Sequence, residues 1–166
     1  MGALMKLIDA ILFTVFLIIA IVAPLLDAQT CLPLGIFPEV LVDLKSWYTH
    51  EYGDYLVAEK PHFFVGLIWV ELLFAWPLSI ASIYGIVGGK SWVHTTCLMY
   101  GVSSLTAMAA ILSELVGSGK ASEKLLKLYF PFMGISLLAI LRGLLPHSQK
   151  SKSIGSRPAV IRKKRA

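Results

Sequence analysis

The chain has 166 residues, of which 57% are hydrophobic and only 15% are charged. Soluble domains carry about 25% charged residues, and the mean hydropathy here is +0.75. This composition excludes an ordinary soluble globular domain and predicts an integral membrane protein.

The formal net charge is +5, and the basic residues are concentrated at the C-terminal end. A basic run can bind nucleic acid, but this one directly follows an apolar segment. We therefore expect a cytosolic tail under the positive-inside rule and no nucleic-acid partner.

Four stretches are long and apolar enough to cross a bilayer, which takes about 20 residues per helix. They predict an all-α fold in which a four-transmembrane-helix bundle forms one membrane domain over 1–146, followed by a basic cytosolic tail over 147–166. The first stretch could instead be a cleaved signal peptide. Its apolar core is longer than that of a signal peptide and contains Asp9, so we favour a retained helix. The four spans are expected at 7–26, 63–86, 93–116 and 127–146.

The connection between the first two spans is acidic and rich in aromatic residues. Four spans return the chain to its starting side, so a cytosolic tail places both termini in the cytosol and this connection in the lumen. We expect it to form a structured lumenal loop of short interfacial segments. Near the end of the chain, Lys163 and Lys164 match the dilysine signal that retrieves proteins to the endoplasmic reticulum. The alternative is an ordinary basic patch attracted to anionic lipid.

The stretch GLIWVELLFAWPLS places Glu71 inside the second span, roughly 12 Å deep at 1.5 Å per residue. A charged acid near the middle of a membrane helix costs about 2.5–3.5 kcal/mol, so it needs a partner. Asp27, at the end of the first span, approaches from the same side and could share a proton with it, so that the two titrate as a unit. Such a pair would suit an amine or a sterol hydroxyl. The alternative is a buried structural hydrogen bond between helices.

Pro77 follows Glu71 by six residues, and a proline there removes a backbone hydrogen bond and kinks the helix. The kink could open a cavity beside Glu71, and Pro131 could open the fourth span in the same way. Among the other acids, Asp9 is expected to snorkel to the interface. Glu114 is expected to reach the interface or to join the carboxylates as a third member.

The remaining polar residues give no sign of a metal or cofactor site. Cys31 and Cys97 are expected near opposite membrane faces, so we predict no disulfide bridge. The four histidines are scattered without metal-ligand spacing. We therefore expect neither a metal nor a cofactor.

Four stretches carry a family resemblance: LLDAQTCLP, LKSWYTHEYGDYLVAEKPHFF, ELLFAWP and LYFPF. In their order and spacing the chain resembles the sigma-2 receptor (transmembrane protein 97-like) family, part of the EXPERA superfamily with emopamil-binding protein. The resemblance implies a homodimeric membrane protein of the endoplasmic reticulum with an intramembrane pocket open to lipid. It implies binding of sterols and cationic amphiphilic ligands, a role in sterol homeostasis or trafficking, and a sterol-transport membrane protein as partner.

The resemblance also assigns roles to individual residues. Asp27 matches the acid that pairs with the ligand amine, and Glu71 matches the acid hydrogen-bonded to it. Asp54 matches an acid that supports the fold around the pocket. Two departures, Ala75 for a polar amide and Ala107 for a hydroxyl-bearing residue, imply a more apolar pocket. The implied pocket aromatics are Tyr48, Tyr129 and Phe132, the last in place of a tyrosine.

The isomerase branch of the same superfamily moves a sterol double bond, which needs one acid and one base. Asp27 and Glu71 could supply this pair. Those relatives also carry a histidine one helical turn before the matching glutamate, where this chain has Leu67. We therefore expect a sterol-binding protein, with a sterol delta8-delta7 isomerase-type enzyme as the alternative. A small transporter finds little support, because the sequence shows no inverted repeat.

Overall fold

The computed structural model describes residues 2–145, and these residues form helices and turns without any strand. The basic tail expected over 147–166, with Lys163 and Lys164, lies outside the described residues.

The first half of the described chain holds one long helix and a series of short ones. Helix α1 spans Gly2–Leu25 and continues into a 3₁₀ turn, Asp27–Thr30. Helix α2 spans Glu39–Tyr52 and ends where Gly53 adopts a left-handed conformation with φ of 62°, as is common at helix C-termini. Helix α3, Tyr55–Glu59, follows at once. The expected interfacial segments are thus helical.

The second span is a continuous helix with a widened turn in its middle. Helix α4, His62–Val70, leads into a π-helical turn, Glu71–Ala75, and then into helix α5, Trp76–Val87. Two further long helices complete the bundle: α6, Val93–Gly117, and α7, Glu123–Leu144.

Within residues 2–145, four helices are long and apolar enough to cross a membrane, and they lie at Gly2–Thr30, His62–Val87, Val93–Gly117 and Glu123–Leu144. The prediction of an all-helical chain with four such helices is confirmed. The fourth begins four residues before its expected start, because Ser122 caps it by accepting a hydrogen bond from the backbone N–H of Leu125 at 3.1 Å. Hydropathy alone misses this turn, since its first two residues, Glu123 and Lys124, are charged.

Two hydrophobic clusters hold the bundle together. One is built around the buried stripe of α1, in which Leu12 and Phe16 are fully enclosed, and it includes residues of α5, α6 and α7. The other joins α3 and α4 to α6 and α7 around Leu56 and Leu115. The space that becomes the candidate site lies where the two clusters meet.

Helices α6 and α7 approach each other closely through glycine. A Cβ atom on Gly101 would lie 2.8 Å from the backbone N of Ile140 and from the carbonyl of Ser136. A Cβ atom on Gly143 would lie 2.5 Å from Cβ of Leu98. Small residues at such contacts let membrane helices pack backbone against backbone.

Asp9 does not snorkel as expected. Its carboxylate forms a two-point ion pair with Arg142 near the end of α7, through Nε to Oδ1 and through Nη2 to Oδ2 at 3.3 Å. Arg142 is 5% exposed. A buried charge needs a partner of opposite sign, and Asp9 and Arg142 supply this partner for each other. The pair joins α1 to α7 at this end of the bundle.

Candidate functional site

A cavity of about 280 Å³ lies between α1, α4, α6 and α7, and α2 closes one end of it. Most of its wall is apolar. The polar groups gather at the end near α2, where Asp27, Thr30 and Lys45 meet. The apolar side chains that define the rest of the wall include Val22, Phe64, Ile68, Met108, Ile111 and Leu128.

All five residues expected to bind ligand line this one cavity. Asp27 and Glu71 contribute carboxyl groups, and Tyr48 and Tyr129 contribute phenols. Phe132 adds an aromatic face. The structure therefore brings together side chains that are up to 105 positions apart in the sequence, from Asp27 to Phe132.

Glu71 is the first residue of the π turn. The backbone N–H of Trp76 donates to the carbonyl of Glu71, five residues back, where an α-helix would use four. Pro77 lies immediately beyond this turn, at the start of α5, and has no N–H to bond to the carbonyl one turn earlier. It is exposed and does not line the cavity. The expected kink thus takes the form of a π turn, a feature common at functional sites.

Asp54 lies behind the cavity wall and is completely buried. It caps α3 by accepting a hydrogen bond from the backbone N–H of Val57 at 3.2 Å. It also accepts hydrogen bonds from the hydroxyl groups of Tyr48 at 3.0 Å and Tyr129 at 2.8 Å. Burial and the nearby carboxylate raise the pKa of Tyr48, so this phenol keeps its proton and donates it. One carboxylate thereby orients both cavity phenols.

Lys45 is a member of the site that the sequence analysis missed. Its ammonium donates hydrogen bonds to the carbonyl of Leu26 at 2.8 Å and to Oγ1 of Thr30 at 2.6 Å. Burial lowers the pKa of Lys45 to about 8, and the Asp27 carboxylate acts in the opposite direction. One signal could have revealed it, because Lys45 lies three residues before Tyr48 and residues at this spacing share a helix face.

Several other polar or helix-breaking residues do not line the cavity. Glu114 is not part of the carboxylate cluster, since its carboxylate accepts a hydrogen bond from Tyr55 at 3.3 Å. Trp76 donates from Nε1 to the carbonyl of Ala20 at 3.0 Å and so joins α5 to α1. Pro131 is exposed within α7, between two residues that do line the cavity.

Part of the cavity wall is exposed on the outside of the bundle. Two of its lining residues, Ile18 of α1 and Phe132 of α7, are 53% and 40% exposed on the outside of the bundle. Both side chains are apolar. They belong to two helices of membrane-spanning length, so this part of the wall presents a surface that suits lipid.

A second, wider cleft of about 680 Å³ lies on the outer side of α2 and α3. Lys45 and Val57 line both spaces and form the wall between them. Lys60 lines the outer cleft but not the inner cavity, and it donates to the carbonyl of Gln29 at 3.2 Å. The two lysines thus differ in that only Lys45 reaches the inner cavity.

Comparison with known proteins agrees with this architecture. The EBP family, described as EXPERA (EXPanded EBP superfamily), matches residues 40–143, which include four of the five cavity residues discussed above. The chain belongs to the EXPERA superfamily. With its four membrane-length helices, this EXPERA protein is a multi-pass membrane protein.

Curated relatives place this EXPERA protein with the sigma-2 receptor-like members, as the resemblance predicted. It is 25% identical to Sigma intracellular receptor 2 of Xenopus tropicalis over 154 residues, 85% of this chain and 90% of that protein. It is 32% identical to Sigma intracellular receptor 2 of Homo sapiens over 89 residues, 53% of this chain and 51% of that protein. The protein of that name from Macaca fascicularis gives the same values.

Proposed function

We propose that this protein binds sterols and cationic amphiphilic ligands in the cavity between α1, α4 and α7, as a sigma-2 receptor-like protein of sterol homeostasis or trafficking. The observation that carries the proposal is a largely apolar cavity with two carboxyl groups, Asp27 and Glu71, in its wall. Ligand sites of this kind are mostly apolar, with a few polar groups that fix orientation.

The shape of the cavity fits an amphiphile with one polar end. A volume of about 280 Å³ is near the lower limit for small-molecule sites, about 300–1,000 Å³. We therefore expect the polar end and part of the ring system to be enclosed and the rest of the ligand to extend through the seam between Ile18 and Phe132. A hydroxyl or ammonium group would lie against Asp27, and the apolar wall would pack against the rings.

Binding to the purified full chain, held in lipid nanodiscs, tests the proposal. The probes are a labelled hydroxysterol and a labelled amphiphilic amine. Met108→Trp places a large ring inside the cavity, whereas Leu137→Trp adds the same ring on an exposed face of α7. We expect Met108→Trp to weaken sterol binding at least tenfold and Leu137→Trp to leave it unchanged.

The acids are tested in the same assay. Asp27→Asn removes the expected cation partner and should weaken amine binding more than sterol binding. Glu71→Gln should weaken both, and Glu114→Gln, which changes an acid outside the cavity, should weaken neither. If neither ligand binds the folded wild-type protein, the proposal fails and Glu71 is a structural contact between helices.

A sterol isomerase remains the second candidate, because the same two carboxyl groups could protonate one carbon and deprotonate another. Leu67, which stands at the position of the isomerase histidine, does not line the cavity. The test is incubation of the wild-type protein with a delta8 sterol. Conversion to the delta7 isomer that is lost in Glu71→Gln would favour the enzyme, and no conversion by a sterol-binding protein would favour the binder.

We propose location in the endoplasmic reticulum membrane, with cytosolic termini, α2 and α3 on the lumenal side, and a membrane domain over 1–146 followed by the tail over 147–166. The family resemblance supports this location. It also supports a homodimer and a sterol-transport membrane protein as partner.

In cells, replacing Lys163 and Lys164 by serine should release an N-terminally tagged chain from the endoplasmic reticulum. The matched control replaces Lys150 and Lys152. Equal retention of both variants would refute the retrieval signal.

A further inference from the structure

We propose that Lys45 acts as a built-in counter-ion for Asp27 and makes the cavity select uncharged, hydroxyl-bearing amphiphiles over amines. The inference rests on the proposed ligand-binding function and specifies the class of ligand that this site prefers. It concerns a residue that neither the sequence analysis nor the family resemblance assigns.

The position of the ammonium is set by groups on either side of Asp27. Lys45 donates to the carbonyl of Leu26, the residue before Asp27, and to Oγ1 of Thr30, three residues after it. Asp27 is the first residue of the 3₁₀ turn that ends at Thr30. Two hydrogen bonds from another helix therefore anchor the ammonium over the turn that carries the carboxyl group, and both groups line the cavity.

Lys45 carries a charge at neutral pH, because its pKa, lowered by burial, is still about 8. The Asp27 carboxylate favours this charge, whereas the charge of Lys60 opposes it; Cys31 and Asp54 make smaller contributions that favour it. Asp27 thus already lies within the electrostatic reach of a cation, with no direct hydrogen bond between the two, before any ligand enters. An amine that approached Asp27 would have to bring a second positive charge beside the first, in a partly dry cavity where charges interact more strongly than in water.

A hydroxyl group meets no such conflict. It can donate to the carboxylate of Asp27 and accept from Lys45, since an ammonium has three N–H donors and two of them are used by Leu26 and Thr30. An ammonium ligand can only donate, so it must displace Lys45 or lie beside it. A carboxylate ligand would in turn face Asp27. The uncharged hydroxyl is therefore the head group that this arrangement accepts at the lowest cost.

A matched pair of probes tests the inference: cholesterol and its 3β-amino analogue, which share one ring skeleton and differ in the head group. The proteins are the full chain and its variants Lys45→Met and Lys60→Met, all in nanodiscs. We expect the wild type to prefer cholesterol at least tenfold. Lys45→Met should bind the amine at least tenfold more tightly than the wild type does, and Lys60→Met, which changes the lysine outside the cavity, should behave as the wild type.

Two further measurements separate charge from packing. Lys45→Arg keeps the charge and should keep the preference for cholesterol, whereas Lys45→Gln should lose it even if Lys45→Met fails to fold. A trimethylammonium analogue, whose own charge does not titrate, should bind the wild type more tightly as the pH rises past about 8, the pKa of Lys45. In this measurement both proteins also carry Glu71→Gln, because the Glu71 carboxyl group lines the same cavity, and in Lys45→Met the increase should then disappear.

The outcomes distinguish this inference from the function on which it rests. If cholesterol binds the wild type but the ratio of the two affinities is the same in Lys45→Met and Lys45→Gln, Lys45 does not set the preference and the ligand-binding function stands. If neither probe binds any folded variant, the ligand-binding function itself fails. If Lys60→Met shifts the ratio as much as Lys45→Met, the effect is general surface charge and the inference is overturned.

Discussion

Asp54 is the residue whose loss should affect both the fold and the cavity. The change Asp54→Asn keeps the size of the side chain but replaces a carboxylate that accepts hydrogen bonds from Tyr48, Tyr129 and the N–H of Val57. Hydrogen bonds to a charged group contribute about 1.5–3 kcal/mol each, and an N-cap about 1 kcal/mol. Because asparagine retains one acceptor oxygen, we expect a loss of about 2–4 kcal/mol.

The assay is thermal unfolding of the purified protein in detergent. At about 2–4 °C per kcal/mol for a chain of this size, the midpoint should fall by about 5–15 °C. Tyr129→Phe should cost about half as much, and the double variant should cost less than the sum because both changes remove the same bond. Glu59→Gln, an exposed acid on α3 that pairs with Lys120, is the control and should change little. An unchanged midpoint in Asp54→Asn would refute the reasoning.

Three further changes test the packing of the bundle by the same unfolding assay. Asp9→Ala leaves Arg142 buried without a partner and should cost about 3–5 kcal/mol; replacing Arg142 by methionine as well should recover part of the loss, and no recovery would contradict the ion pair. Gly101→Ala pushes α6 away from α7 and should lower the free energy of unfolding by about 1–3 kcal/mol. The control Gly134→Ala, with open space around the glycine, should leave it unchanged or raise it. Equal effects of the two variants would contradict the close contact. Trp76→Phe removes the bond to α1 and should cost about 1 kcal/mol; no loss would show that this bond contributes nothing.

The helices of the bundle could be predicted because lipid imposes one strong rule, a run of apolar residues about 20 long. The candidate site could be predicted in part because Glu71 is an acid inside such an apolar run, far from either membrane interface. An acid in that position needs a polar partner or a function. The π turn could not be predicted in detail. Pro77 indicates that one backbone hydrogen bond of the helix is missing. Whether the helix then bends or forms a wider turn depends on how neighbouring helices pack against it, and the local sequence carries no information about that packing.

Lys45 and Arg142 were missed for a different reason. Lys45 lies in the connection between the first two spans, and Arg142 lies close to the end of the fourth. A basic residue at either place ordinarily reaches water or lipid head groups, so neither residue needed a buried partner. Thr30, which accepts from Lys45, and Asp9, which pairs with Arg142, are 15 and 133 positions away. A contact at such a separation follows from the way helices pack, and hydropathy along the chain carries no information about it.

The ionisable groups buried in the bundle divide between an ion pair at one end and the cavity toward the other, and this division fits the proposed entry of a ligand from the side. Asp9 and Arg142 fix α1 to α7 at one end. The cavity lies toward the other end of the same two helices, where Ile18 and Phe132 are exposed along the seam. An ion pair holds α1 and α7 together at one end, and apolar side chains line their contact toward the other. The two helices can therefore separate locally near the cavity while they stay joined at the ion pair. Entry of an amphiphile between them would then cost only the displacement of side chains and lipid.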